Sequence, residues 1–108
     1  MRHELASVSD RLKSLLDEFE RGENHERAGV EHTLTDGYAW ALALDAECDR
    51  LERRISQRAA DLGDEDTLEQ ARDLAALARL LARRRCELAS LRELLSMLRA
   101  GVQQTRVA

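Results

Sequence analysis

The first apolar positions of the chain are Leu5, Val8, Leu12, Leu15 and Phe19. Steps of three and four are the a and d spacing of a heptad, which puts these residues on one side of a helix. Leu16 widens the stripe, and Gly22 supplies a backbone suited to a helix end. The pattern predicts a first helix over 3–21. Residues 22–34 are mostly polar, contain Gly22 and Gly29 and show no period, so a hinge is expected there. A second helix is expected over 35–62, capped by Thr35 or Asp36. Its seam is Ala41, Leu44, Cys48, Leu51, Ile55 and Leu62, with Ala59 beside Arg58 where the spacing calls for a contact, and Gly63 permits the stop.

The third seam is the longest. Leu74, Leu77, Leu81, Arg84, Leu88, Leu91, Leu95, Leu98 and Val102 alternate steps of three and four, and only Arg84 interrupts the apolar run. Thr67 and Gln70 fit a capping box at its start. Gly101 and the polar residues after it mark the end, predicting a helix over 66–101 and a short polar tail over 102–108.

A few residues separate the second and third helices, so they must lie as antiparallel neighbours. At 1.5 Å per residue the two span about 42 and 52 Å, so the third overhangs the second, and the first, at about 28 Å, can cover part of it. The expected fold is all-α: an antiparallel helical hairpin with a third, N-terminal helix, forming a three-helix coiled-coil bundle in one domain over 1–108. Mirroring the hairpin about its turn pairs residues whose numbers sum to about 129. That register sets Leu81 opposite Cys48 and Arg84 opposite Asp45. An unpaired guanidinium in a seam is costly, so Arg84 should meet Asp45 or another carboxylate of the first two helices.

Composition agrees with this pattern. Apolar residues make up 44% of the 108, drawn mainly from 19 Leu and 16 Ala, with one Phe, one Trp, one Tyr and no Pro. Leu and Ala, with Arg and Glu, are strong helix formers. The chain carries 16 Arg against one Lys, a bias that with the Ala and Leu excess suggests a bacterial, high-GC coding sequence. Net charge is −4. Residues 1–47 hold 5 bases and 11 acids, or −6, and residues 48–108 hold 12 and 10, or +2. A mildly acidic whole disfavours broad nucleic-acid binding. Neither a membrane-spanning apolar run nor a signal-peptide core is present, so a cytoplasmic location is expected.

Candidate chemistry is sparse. In the mirrored register Cys48 and Cys86 lie about five positions apart, too far for a disulfide. Cys48 is expected in the core. Cys86 follows Arg83, Arg84 and Arg85, whose charge would favour its thiolate. His3, His25 and His32 lack metal-site spacing, so neither metal nor cofactor is expected. No nucleophile elbow, phosphate loop or paired catalytic constellation appears, and an enzyme is not expected.

Tyr38 and Trp40 sit two apart, on different helix faces. Leu80 and Leu94 widen the third stripe beyond one seam. With Leu98 and the overhang, these residues form the expected partner-binding set and suggest a homodimer. The function expected is that of a helical adaptor, chaperone or assembly factor acting by protein–protein contact. Small helical secretion and flagellar export chaperones are similar in size and character. Asp61, Asp64, Glu65 and Asp66 gather at the expected turn, where capping and the helix dipole account for them. A hairpin with an acidic tip also resembles bacterial factors that enter the secondary channel of RNA polymerase. Over residues 61–66 that resemblance implies carboxylates acting near the polymerase's catalytic Mg²⁺, and a transcription-associated regulator is the alternative function. That family's second domain and zinc-binding cysteines have no counterpart in these 108 residues.

Overall fold

The computed structural model describes residues 2–22, 27–62 and 68–107. It is all-α. Three helices, α1 (Arg2–Glu20), α2 (Arg27–Asp61) and α3 (Leu68–Val107), account for nearly every described residue, and none of these is in a strand. The long helices follow from the composition. Leu, Ala, Arg and Glu dominate, and no Pro interrupts the hydrogen-bond ladder.

α1 ends where the sequence indicates. Gly22 adopts φ 74° and its amide donates to the Phe19 carbonyl at 3.1 Å, closing the last turn.

The start of α2 differs from the expectation. It begins at Arg27, so residues 27–34 are helix rather than hinge, and Thr35 and Asp36 are interior positions rather than caps. The reason lies in a seam whose apolar signal is weak. Val30 and Thr33 are buried, and the Thr33 hydroxyl donates to the Gly29 carbonyl at 3.0 Å. Thr35 donates likewise to Glu31 at 2.9 Å. Such back-bonding satisfies hydroxyls inside a helix. Val30, Thr33, Gly37, Ala41 and Leu44 continue the seam backwards in steps of three and four, with Thr and Gly standing where Leu was sought.

α3 also runs past its expected end. Gly101 lies inside it, and residues 102–107, expected as a tail, are helical. A Cβ on Gly101 would meet Phe19 at an ordinary 3.8 Å, so nothing there requires glycine. At 35 and 40 residues, α2 and α3 differ by about 7.5 Å in length, against the roughly 10 Å expected.

The chain divides into two compact units: Met1–Leu42 with Ala89–Ala108, and Ala43–Leu88. In the first unit three helices contribute to the core. Val8 and Leu12 of α1, Val30 and Ala41 of α2, and Leu91, Leu95 and Leu98 of α3 are all buried. Gly37 sits where they crowd together: a Cβ there would stand 2.5 Å from Leu95 Cδ2 and 3.5 Å from Leu12 Cδ1. Arg11 of α1 pairs with Asp36 of α2 at 3.4 Å.

In the second unit the core is Leu44, Cys48, Leu51, Leu81 and Leu88. Ile55, Leu77 and Leu80 pack partly buried against the cluster of Cys48, Leu51 and Leu81. Arg58 pairs with Asp73, and Arg84 with Glu47, so contacts climb α3 as they descend α2. Cys48 and Leu81 share one cluster, as the expected register has it, while these two ion pairs sum to 131 because long arginine side chains reach along the helix. The partner of Arg84 is therefore Glu47, one helical flank away from Asp45.

Candidate functional site

Arg84 makes the best-defined polar cluster in the second unit. It holds a d position in the leucine seam, and its side chain is only 12% exposed. Its Nε donates to Glu47 Oε1 at 3.0 Å, and Nη1 donates to both oxygens of Glu87 at 3.0 and 3.1 Å. The hydrogen bond to Glu47 raises the Arg84 pKa above its ordinary value, with burial opposing. The guanidinium is therefore charged at every biological pH. Glu47 Oε2 is buried with no hydrogen-bond partner. Arg85 pairs with Glu52 on the exposed surface. The cluster satisfies a cation inside a seam, and it contains no nucleophile or free base.

Both cysteines are thiols, Cys48 buried and Cys86 exposed. Burial pushes the Cys48 thiol above its ordinary pKa. Nearby Arg85 opposes the shift, while Glu47, Asp45 and Glu52 add to it. Cys48 is thus a neutral core side chain rather than a thiolate nucleophile.

His32 lies 3.5 Å from Asp36 on the surface of α2. His25 and the His3 side chain lie outside the described residues. Among the described residues no group of three His, Cys, Asp or Glu side chains converges as a metal site would require. No described helix is long and apolar enough to cross a membrane. At the acidic tip, Asp61 is exposed at the end of α2, and Asp64, Glu65 and Asp66 lie outside the described residues.

The expected partner-binding residues separate into three groups. Tyr38 is 41% exposed, and Leu42, one turn later, is 73% exposed. Residues four apart share a helix face, so the two form a continuous apolar strip on α2, preceded one turn earlier by half-buried Leu34. Trp40, Leu80 and Leu94 are half-buried. Leu98 is fully buried in the first unit and offers no surface to a partner. The helical pattern put Leu98 at a seam position, and α1 and α2 share the core it enters. Leu42 is an exposed apolar residue that the sequence left unassigned, as are Leu68 and Met97. Its signal was an apolar side chain off the α2 seam.

Two clefts flank these features. One, of about 650 Å³, lies between α1 and α2 in the first unit, along Ser7, Arg11, Ser14, Val30 and Thr33. The other, of about 450 Å³, lies in the second unit along Arg54, Arg58, Leu62 and Leu74. Compared with protein-family models, curated proteins and solved structures, the chain shows no significant match.

Proposed function

We propose that this chain is a non-enzymatic helical adaptor, chaperone or assembly factor of the bacterial cytoplasm, acting through protein–protein contact and self-associating as a homodimer. The observation that carries this reading is the Tyr38–Leu42 strip. Single exposed apolar residues are ordinary on protein surfaces. An aromatic and a leucine stacked one turn apart, both open to water, suit an interface anchor better than a solvated face. The charged side chains support the same direction. Arg11, Arg58, Arg84 and Arg85 are all engaged in ion pairs within the fold.

The test is solution mass of the intact chain by light scattering across a concentration series, beside the variant Tyr38→Glu with Leu42→Glu. A dimer that becomes a monomer in the variant, with helicity by circular dichroism unchanged, supports the reading. A wild-type chain that stays monomeric at high micromolar concentration, or a variant that dimerises equally well, removes the self-association.

A further inference from the structure

Both units leave some seam residues half-buried, Leu5, Leu15 and Phe19 among them in the first, but they differ in how much of the seam is fully enclosed. In the first, where three helices contribute, Leu12, Leu91, Leu95 and Leu98 are at most 1% exposed. In the second, Ala43–Leu88, the described residues belong to α2, α3 and Leu62 between them. Its deep part, Cys48, Leu51 and Leu81, is buried, yet Ile55, Leu62, Leu74 and Leu77 remain half-buried. Two helices cannot surround a seam that wide, and a third rod against such a surface is the usual remedy.

The open stretch has a shape and a charge. Leu62 and Leu74 line the 450 Å³ cleft, and Arg54 and Arg58 stand on its α2 side. Arg58 is held by Asp73 at 3.5 Å, and Asp61 also lines the cleft. Arg54 meets no carboxylate within ion-pair distance among the described residues, and neither does Arg50 one turn earlier on the same flank. Guanidinium groups four residues apart repel each other, and no described carboxylate pairs with either of these two.

We propose that this cleft is a docking site for an acidic amphipathic helix of a partner protein, which completes the second unit as α1 completes the first. Apolar side chains of the incoming helix cover Leu62 and Leu74. Its Glu or Asp residues, spaced one turn apart, meet Arg50 and Arg54, where charge-assisted pairs are strongest. A helix fits better than a nucleic acid for two reasons. A phosphate backbone gains nothing from a leucine floor, and Asp61 and Asp73 beside the cleft break the continuous basic track that such a backbone follows. This surface is distinct from the Tyr38–Leu42 strip and extends the function proposed above to a second contact.

The experiment is fluorescence anisotropy of the full chain with two labelled helical peptides about three heptads long. Both carry Leu at a and d, one with Glu and the other with Lys at e and g. The acidic peptide is expected to bind, to bind at least about tenfold more weakly to Arg50→Glu with Arg54→Glu, and to weaken as salt rises. Leu74→Gln should weaken it as well. Circular dichroism checks that these exposed or half-exposed substitutions leave the helices intact. Tyr38→Glu with Leu42→Glu should leave peptide binding unchanged, so failure of the dimer and failure of this site are read separately. No binding of the acidic peptide, equal binding of the Lys peptide, indifference to the arginine reversals, or tighter binding of a duplex oligonucleotide would each overturn the proposal.

Discussion

Gly37 offers the most direct test of how the first unit is packed. Replacing a helical glycine by alanine ordinarily stabilises, because alanine loses less backbone entropy; the gain inside a helix is about 1 kcal/mol. Here the new Cβ would stand 2.5 Å from Leu95 Cδ2, closer than carbon atoms tolerate. A leucine end can swing away when it has room. Leu95 is 1% exposed and Leu12 beside it is fully buried, so any rotation transfers the overlap to another buried neighbour. Overpacking a tight core costs about 1–3 kcal/mol. Taking the middle of that range against the propensity gain, Gly37→Ala should destabilise by about 1 kcal/mol.

Gly29 is the internal control. It belongs to the same helix and unit, and a Cβ there meets nothing within 4 Å. Gly29→Ala should therefore be neutral to stabilising, by up to about 1 kcal/mol and less so near a helix start. Urea denaturation followed at 222 nm, with m-values compared to confirm that only stability changed, separates the two. Adding Leu95→Ala removes the obstructing carbon, and in that background Gly37→Ala should recover its favourable sign. If Gly37→Ala proved as stable as Gly29→Ala in the native background, the crowding of α1, α2 and α3 at this point would be refuted.

Four further outcomes are expected. Leu91→Ala and Leu98→Ala should each cost about 2–5 kcal/mol in chemical denaturation, because both side chains are fully enclosed, whereas Leu42→Ala should leave monomer stability within about 0.5 kcal/mol. Arg84→Met should destabilise by roughly 1–3 kcal/mol by stranding Glu47, while Arg84→Met combined with Glu47→Leu should recover most of that loss; thermal melts of both variants check it. The Cys48 thiol, raised by burial, favours the fold fully below its unfolded pKa and loses that contribution as pH rises above about 8.5, so wild type should lose more stability than Cys48→Ala in melts across the alkaline range. In the native state a thiol reagent should label Cys86 and spare Cys48 until the chain unfolds.

Much of this protein was legible before any coordinates. The all-α class and the burial of Leu81, Leu88, Leu91 and Leu95 follow from a 3.6-residue period that leucine displays openly. So did the end of α1 at Gly22, since a left-handed residue is needed there. The need of Arg84 for a carboxylate followed from desolvation cost alone, and it is met.

What escaped the sequence concerns distance and neighbours. Residues 27–34 looked like a hinge because Thr33 and Gly37 hold seam positions without apolar bulk; only the approach of α1 and α3 makes small residues the ones that fit. Which carboxylate Arg84 meets, Glu47 and not the Asp45 opposite it, depends on the reach of its side chain across the seam, which periodicity does not record. The separation of buried Leu98 from exposed Tyr38 and Leu42 was likewise decided in three dimensions. A helix's own pattern states which of its faces is apolar. Which neighbour covers that face, and how much of it stays bare, depends on where the other helices lie.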